Sequence, residues 1–448
     1  MRMLHTSDWH LGRTLHGADL AAAHEAWVDH VVEVVRAERV DVVLVAGDVF
    51  DRAIPPVQAL STWERALLEL TRAGARVVVS SGNHDSPARL GAHTGLLSQV
   101  GVHVRCDPAR VGEPVVIADE HGPVAFTPLP YLEPTTTAAL LSRLSVGDEP
   151  AGADVARTQE GVVSRAASLA AAGARAAGHT RTVALAHTWV AGVRPADRSD
   201  SEREIGCCAA RPGDGGTRVG SLDRVGVEAF APFSYTALGH LHGPQVLGET
   251  LRYSGSPVAF SFSERAHRKG SWLVDLDAAG AARVERVDAP VHRPLTQLTG
   301  TLEDLLAGAG HTAAEGHHVK AVLTDPARPA DAMRRLQARF PHAVALEWVP
   351  QGRAPERTAA ARLRTSADDT GVAVGFVAHV RGTEASDDER ARLDGAFRAV
   401  RAAEVAADAL PQQRVLDELA AVGTEDEELV LLDLASAGGA AAAREGAA

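Results

Sequence analysis

Short runs of apolar, largely β-branched residues recur along the first hundred residues of the chain. Residues 42–46 read Val-Val-Leu-Val-Ala, and residues 76–80 contain Val-Val-Val. Runs of this length, each followed by Gly or a polar residue, are typical of strands buried on both faces of a parallel sheet. Residues 18–39 instead carry apolar side chains at helical spacing. With a first strand at residues 1–7, the alternation predicts a βαβαβ arrangement.

The pattern changes along the rest of the chain. Short β segments with Gly and Pro turns between residues 102 and 130 predict a second sheet, and residues 182–186 and 235–242 predict further strands. After Pro290 the pattern indicates a compact β-α-β unit, followed by a charged helical region. We divide the chain into a first domain at 1–290, a small α+β domain at 291–352, a helical segment at 353–436, and an Ala/Gly-rich tail at 437–448 that we expect to be disordered.

Composition and charge bear on the cellular compartment and on the kind of partner. The 448-residue chain carries a formal net charge of −13 and three cysteines. No apolar run approaches the roughly 18 residues of a membrane span, and the amino terminus lacks a signal-peptide pattern. Cysteines without C-x-x-C spacing predict neither a disulfide framework nor a zinc site, so we expect a reducing cytoplasm. The negative charge is a weak argument against a nucleic-acid partner, because the total says little about one cleft.

Residues able to bind a metal lie in five short segments at the ends of predicted strands. Residues two apart in an extended chain point to the same side, so Asp8 with His10, and His240 with His242, can converge. Taken alone, each segment is often structural, since Asp, Asn and Gly also form turns. Five such segments in this order do not fit a chance arrangement. They are Asp8-Trp9-His10, Gly47-Asp48, Gly82-Asn83-His84-Asp85, His187 and Gly239-His240-Leu241-His242.

The types of ligand in these segments indicate the chemistry. Mixed carboxylate, imidazole and carboxamide groups suit Mn, Fe or Zn rather than Ca or a thiolate zinc site. Two metals about 3.5–4 Å apart need a bridging carboxylate, for which Asp48 is the candidate. Such a pair clamps a phosphate and lowers the pKa of a water from about 16 toward about 7. The pattern therefore predicts hydrolysis of a phosphate ester.

The order D-x-H, GD, GNHD, H and GHxH resembles the calcineurin-like metallophosphoesterases. Four stretches are more specifically similar to the nuclease subunits of bacterial ATP-dependent DNA-processing complexes: residues 6–12, 47–51, 255–258 and 261–264. The resemblance covers residues 1–290 closely. It implies an α/β fold with a two-layered β-sheet core flanked by helices, a capping domain, and C-terminal helices that bind an ATPase partner.

The resemblance also implies roles for single residues and for the whole chain. His84 would protonate the leaving oxygen, with Asp85 orienting it, and two divalent ions, most simply Mn²⁺, would share Asp48. The implied enzyme is an exonuclease and single-strand endonuclease acting on double-stranded DNA ends and hairpins in repair, recombination and replication. It would be a homodimer within a heterotetramer with a coiled-coil ATPase. The implied ligands are Asp8, His10, Asp48 and His242 for one metal, and Asp48, Asn83, His187 and His240 for the other.

Three arginines are candidates for a surface that faces DNA. Arg13, Arg52 and Arg89 each follow a ligand motif and could reach phosphates around the cleft. The basic stretch 265–269 is a further candidate, but we expect it to be a solvated loop without a role in DNA binding. The Gly-rich stretch 207–218 is longer than the family pattern, which leaves its local contacts open.

Two other functions remain open at this point. The metal motifs alone do not separate a nuclease from a small-molecule phosphodiesterase or phosphatase of the same fold. The segment 291–448 favours a nuclease, because a small-substrate enzyme has little use for a cap and an apolar-striped tail. A DNA-end tether with structural metals is the third hypothesis, against which His84 argues. The tail's stripe consists of Val372, Val374, Phe376, Val377 and Val380.

Overall fold

The computed structural model describes residues 1–190, 224–350, 369–381 and 385–399. The predictions for residues 207–218 and 437–448, and for the Val380 side chain, lie outside this part of the chain. Two compact units are formed, Met1–Arg353 and Ala354–Ala448, and each is described by itself.

The first sheet of the larger unit contains six strands among the described residues. Its four strands from the amino-terminal region are parallel, and the two strands from later in the chain join antiparallel beside the first. In spatial order they are β14 (Ala282–Asp288), β13 (Gly270–Leu276), β1 (Arg2–Thr6), β4 (Val42–Ala46), β5 (Arg76–Ser80) and β6 (Val102–Arg105).

The position of β6 corrects one prediction. The turn-rich pattern predicts residues 102–105 in the second sheet, yet they pair in parallel with β5 of the first. Alternation in so short a segment shows which side chains are buried but not which sheet they join, because that depends on long-range pairing.

The second sheet also has six strands in the part that the structure describes. Its middle strands are parallel, and an antiparallel hairpin forms each edge. In spatial order they are β11 (Gln245–Val246), β12 (Leu251–Tyr253), β10 (Tyr235–Gly239), β9 (Thr182–His187), β8 (Gly122–Leu129) and β7 (Val115–Asp119).

The two sheets pack face to face, with helices outside. Met3, Leu44 and Val78 lie in the core between the sheets. Their neighbours Leu4 and Val43 belong instead to a core shared with the helices, as the period of two along a strand requires. The two-layered β core flanked by helices is confirmed. The flanking helices are α1 (Ala21–Glu38), α2 (Val57–Arg72), α3 (Pro87–Leu90), α4 (Thr94–Gln99), α5 (Pro134–Arg143) and α6 (Gln159–Ala176).

A small parallel sheet with its own apolar core follows near the end of this unit. Leu336 and Phe340 are fully buried in that core together with Val319 and Leu323. The β-α-β pattern predicted after Pro290 is present, whereas its standing as a separate domain stays a prediction. Its elements are β15 (Leu295–Gly300), α7 (Leu302–Ala307), β16 (His318–Leu323), α8 (Ala332–Arg339) and β17 (Ala343–Trp348). A two-stranded ribbon of β2 (Thr14–Leu15) and β3 (Ala18–Asp19) completes the strands.

The smaller unit contains helix α9 (Asp369–Arg381), and residues 387–399 are also helical. On α9 Val374 is buried, whereas Val372 and Phe376 are exposed. None of the helices among the described residues has both the length and the apolar character that a membrane span requires.

Candidate metal centre

The predicted ligands follow the carboxyl ends of strands from both sheets. Asp8 comes after β1, Asp48 after β4, and His240 after β10, while His187 is the last residue of β9. Eight non-glycine residues in the described part have a positive φ, and four of them are predicted ligands: Asp8, His10, Asp48 and His240. Left-handed backbone is unfavourable for such residues and is often retained at functional sites. Here it turns side chains from the two sheets toward one centre.

Two glycines make room for this approach. A Cβ on Gly47, which has a φ of +83°, would lie 2.6 Å from Cγ of His187. A Cβ on Gly82 would lie 2.7 Å from Cγ of Asp48. Both distances are below any real carbon contact, so glycine is required where the strand-end loops meet.

His10 and His242 form the first group of ligands with Asp8. Their Nε2 atoms are 3.1 Å apart, and one donor atom from each of Asp8, His10 and His242 lies within 4.8 Å of the others. Two ligands bound to one ion at about 2.1 Å are separated by about 3 Å. The observed spacing therefore fits imidazoles that share a cation.

Asn83, His187 and His240 form the second group. The Asn83 Oδ1 atom lies 3.0 Å from Nε2 of His187 and 3.2 Å from Nδ1 of His240. The His187 Nδ1–H donates to the carbonyl of Ala46 at 2.9 Å, which leaves Nε2 as the free nitrogen. In a neutral His187 the lone pair of Nε2 would therefore face the oxygen atoms of Asn83 and Asp48. This contact is favourable only if Nε2 carries a proton or if a metal ion lies between these atoms.

Asp48 lies between the two groups. Its Oδ2 is 3.6 Å from Nε2 of His10 and 3.2 Å from Nε2 of His187. Its Oδ1 accepts the backbone N–H of His84 at 2.9 Å. The structure therefore brings all seven predicted ligands together and gives Asp48 the central position that a bridging carboxylate needs.

Burial and close charges together set the protonation of the side chains in the centre. Burial raises the pKa of Asp8 to about 6. Burial alone would lower the pKa of His187, but the carboxylate of Asp48 raises it to about 9. In return, and against the effect of burial, His187 helps hold the pKa of Asp48 well below its usual range. Burial keeps His10 and His240 neutral by lowering their pKa values, that of His240 to about 3. Neutral imidazoles beside carboxylates are suitable metal ligands.

His84 lies at the half-buried rim of this centre. Its Nδ1–H donates to the carbonyl of Asp51 at 2.7 Å, and its Nε2 has no hydrogen-bond partner among the described residues. Its ring stacks edge-on to His10, with centroids 4.7 Å apart. One nitrogen of His84 also lies within 4.8 Å of ligand atoms of His10 and Asp48. Position alone thus permits either an acid or a ligand.

The predicted role of Asp85 is corrected by its contacts. The resemblance implies that it orients His84, but its carboxylate accepts backbone N–H groups of Gly82, Val49 and Phe50 at 2.9–3.2 Å. Asp85 therefore ties together the two loops that follow β4 and β5. The carbonyl of Asp51 orients the His84 ring instead.

The basic residues near the centre differ in how freely they can bind a phosphate. Arg13 is 11% exposed, pairs with Asp51 and covers the ring of Phe260, so it has little freedom to bind a phosphate. Arg52, 61% exposed, and Arg89 face solvent. Within the stretch 265–269, Arg268 is exposed as expected.

Lys269 is a residue that sequence reasoning missed. It is 7% exposed and lies behind His242, beside Glu264, which is more deeply buried. The expectation of a solvated loop is wrong for this lysine. A signal was present in the sequence, because Lys269 and Lys320 are the only lysines among 45 basic residues.

Fold and site together define a metal-dependent phosphoesterase. The profile of the calcineurin-like phosphoesterases matches residues 1–137. The chain is 31% identical over 312 residues to the SbcD subunit of the nuclease SbcCD from Escherichia coli (strain K12), a match that covers 68% of this chain and 73% of that protein. It is 34% identical over 326 residues to the same subunit from Rhodobacter capsulatus, with 68% and 75% covered. For the Bacillus subtilis (strain 168) protein the values are 32% over 307 residues, with 66% and 72% covered.

These relatives identify the particular family. The chain belongs to the SbcD nucleases, the nuclease subunits of SbcCD, and it is a hydrolytic enzyme. The resemblance seen in the short motifs is confirmed.

Proposed function

We propose that this chain is the nuclease subunit of an SbcCD-type complex and hydrolyses phosphodiester bonds of DNA ends and hairpins with two divalent ions, preferably Mn²⁺. The observation that carries this proposal is the position of the Asp48 carboxylate between two groups of ligands, 3.6 Å from His10 and 3.2 Å from His187.

The residues present fit two metal positions that share one carboxylate. Asp8, His10, Asp48 and His242 would hold one ion, and Asp48, Asn83, His187 and His240 the other. When bound, the two ions would supply positive charge to a phosphate and lower the pKa of a water from about 16 toward about 7. Asn83 and His240 are only partly buried, so the second position is open to a substrate phosphate.

His84 is proposed as the general acid. Because its Nδ1–H is engaged by the carbonyl of Asp51, protonation of the ring places the second proton on Nε2. That proton is then available to the leaving oxygen of a phosphodiester. The edge-on contact with His10 fixes the ring beside the metal positions.

The DNA substrate is supported by the family and by the exposed arginines. Arg52, on the loop after Asp48, and Arg89, in the short helix α3 that follows Asp85, are exposed, and there they would contact the phosphate backbone. Such contacts carry no base information, which suits an enzyme that processes ends of any sequence. They also make binding strongly dependent on salt, despite the chain's net charge of −13.

The partner proposed for the smaller unit is the SbcC-type ATPase with its coiled coil. Helix α9 exposes Val372 and Phe376, an apolar surface of the kind that fits a groove on another helix. The assembly would contain two copies of this chain and two of the ATPase, in the cytoplasm.

Digestion of blunt and hairpin duplex DNA, with and without the SbcC-type ATPase, tests the proposal. We expect cleavage that requires Mn²⁺, stops with EDTA, and gains a dependence on ATP in the complex. Bis(p-nitrophenyl) phosphate serves as the comparison substrate. Hydrolysis of that small diester without any cleavage of DNA would instead support a small-molecule phosphodiesterase, and metal binding without hydrolysis would support a tether.

A further inference from the structure

We propose that the buried pair of Glu264 and Lys269 positions His242 and thereby sets the affinity of the metal position that His242 serves. This inference rests on the proposed metal centre. It assigns a role to the Ser-Phe-Ser-Glu segment at residues 261–264, which contributes neither a metal ligand nor the general acid.

Glu264 lies directly behind the imidazole of His242. Its Oε1 is 3.6 Å from Nδ1 of His242, on the side of the ring away from His10. Its Oε2 accepts the backbone N–H of Phe260 at 3.2 Å. The side chains of His242 and Glu264 are fully buried, at 0% exposure. A carboxylate beside the far nitrogen of a ligating histidine holds the ring orientation and strengthens the metal-facing nitrogen as a donor.

Lys269 contacts both His242 and Glu264. Its Nζ donates to the backbone carbonyl of His242 at 2.9 Å and to Oγ of Ser256 at 2.8 Å, and it pairs with Glu264. These three acceptors match the three N–H donors of an ammonium group. A planar guanidinium directs its donors differently and needs more space. This explains a lysine here in a chain that otherwise uses arginine almost throughout.

The energetics argue against a purely structural pair. Burying two charges costs free energy that their attraction often fails to recover, and apolar residues of similar volume can be as stable. The pair of Glu264 and Lys269 is nevertheless buried against one ligand and reaches both its ring and its backbone. A positioning role for His242 accounts for both contacts.

Direct metal binding by the full chain provides the test. Metal-stripped wild type, Glu264→Gln and Lys269→Met are titrated with Mn²⁺ by calorimetry, and their melting temperatures are recorded without metal. We expect Glu264→Gln to weaken one of two Mn²⁺ binding events about 10–100-fold and to leave the other unchanged. Lys269→Met should weaken the same event.

Asp119→Asn is the matched control, because it breaks another buried ion pair. Asp119 pairs with Arg181 at 2.7 Å near the amino-terminal end of β9, at the opposite end of that strand from His187. The control should lose thermal stability and bind both ions like wild type.

The outcomes separate this inference from the proposed function. Wild type that binds no Mn²⁺ would refute the metal centre itself. Wild type that binds two ions, with unchanged binding in Glu264→Gln, would overturn the positioning role, and so would equal weakening of both ions. Should Lys269→Met fail to fold, Glu264→Gln decides the matter, because the amide differs from the carboxylate in charge rather than in size.

Discussion

His84 and its neighbour Asn83 show, at the scale of one residue, the contacts on which the proposed division between metal binding and proton transfer rests. Its neighbour Asn83 directs an oxygen at His187 and His240, whereas the His84 ring turns toward the carbonyl of Asp51. The side chains of these adjacent residues therefore contact different groups, as the two proposed roles require.

Replacing this histidine should separate catalysis from metal binding. We expect His84→Gln to retain two Mn²⁺ ions and DNA binding but to lose on the order of 10²–10⁴-fold in cleavage rate, the contribution of a general acid. Single-turnover cleavage and Mn²⁺ titration on the same preparation measure both. Loss of one ion together with the activity would show that His84 is a ligand.

His5 should give the stability of the protein a defined pH dependence. It lies buried between the sheets, where Nδ1 accepts from the hydroxyl of Tyr235 at 2.9 Å and Nε2–H donates to the carbonyl of Leu238 at 3.1 Å. Burial lowers its pKa to about 3. The unfolded chain binds a proton on this ring below about pH 6.5, so stability falls between there and pH 3 by about 1.4 kcal/mol per pH unit.

The variant His5→Gln removes the imidazole that binds this proton in the unfolded chain. Its unfolding free energy at pH 7 should be about 1–3 kcal/mol lower, since two buried hydrogen bonds are disturbed. Between pH 6.5 and pH 4 the difference from wild type should shrink. Urea unfolding of the metal-free proteins at several pH values measures it, and parallel curves would contradict the assignment.

Single residues also show what a sequence can and cannot reveal about a site. Asp8, His10 and Asp48 were predictable because each follows an apolar strand, and parallel strands end at one edge. The role of Asp85 that the resemblance implied was mistaken, since a similar sequence does not determine where the carboxylate points. Glu264 and Lys269 were missed because their partner His242 is reached only through folding.

At the scale of elements, the turn after β4 determines whether the centre can form. Gly47 combines a φ of +83° with a close approach to His187. We expect Gly47→Ala to displace His187, weaken Mn²⁺ binding and abolish most nuclease activity. Calorimetric titration and cleavage assays measure this.

Gly74 offers the control for that substitution. It has a φ of +96°, and a methyl group added to its Cα would meet no other atom within 4 Å. Gly74→Ala should therefore cost only the backbone strain, about 1–2 kcal/mol of unfolding free energy, with full Mn²⁺ binding. If Gly47→Ala behaved in the same way as Gly74→Ala, the crowding argument would fail.

The elements themselves were largely predictable, for a physical reason. β4 and β5 are continuous apolar runs because both of their faces are covered. The assignment of β6 to the wrong sheet has another cause, since its short alternating pattern shows which side chains are buried but not which strand it pairs with.

At the scale of the whole molecule, truncation at Arg353 tests whether nuclease activity and binding of the ATPase partner reside in different units. A chain ending at Arg353 retains every predicted ligand and all the described sheets. We expect it to fold and to keep Mn²⁺-dependent cleavage, but to lose co-purification with the SbcC-type ATPase and any stimulation by ATP. Unfolding or aggregation of this chain would show that the smaller unit belongs to the protein's own core.

The central claim is that Asp48 bridges two metal ions with which the enzyme hydrolyses DNA. Electron paramagnetic resonance of Mn²⁺-loaded protein, combined with a count of bound ions, tests it most directly in wild type and Asp48→Asn. We predict two exchange-coupled Mn²⁺ ions per wild-type chain, and in Asp48→Asn the loss of the coupled signal together with all DNA cleavage. A single uncoupled ion in wild type, or a coupled pair and normal cleavage in Asp48→Asn, would contradict the claim.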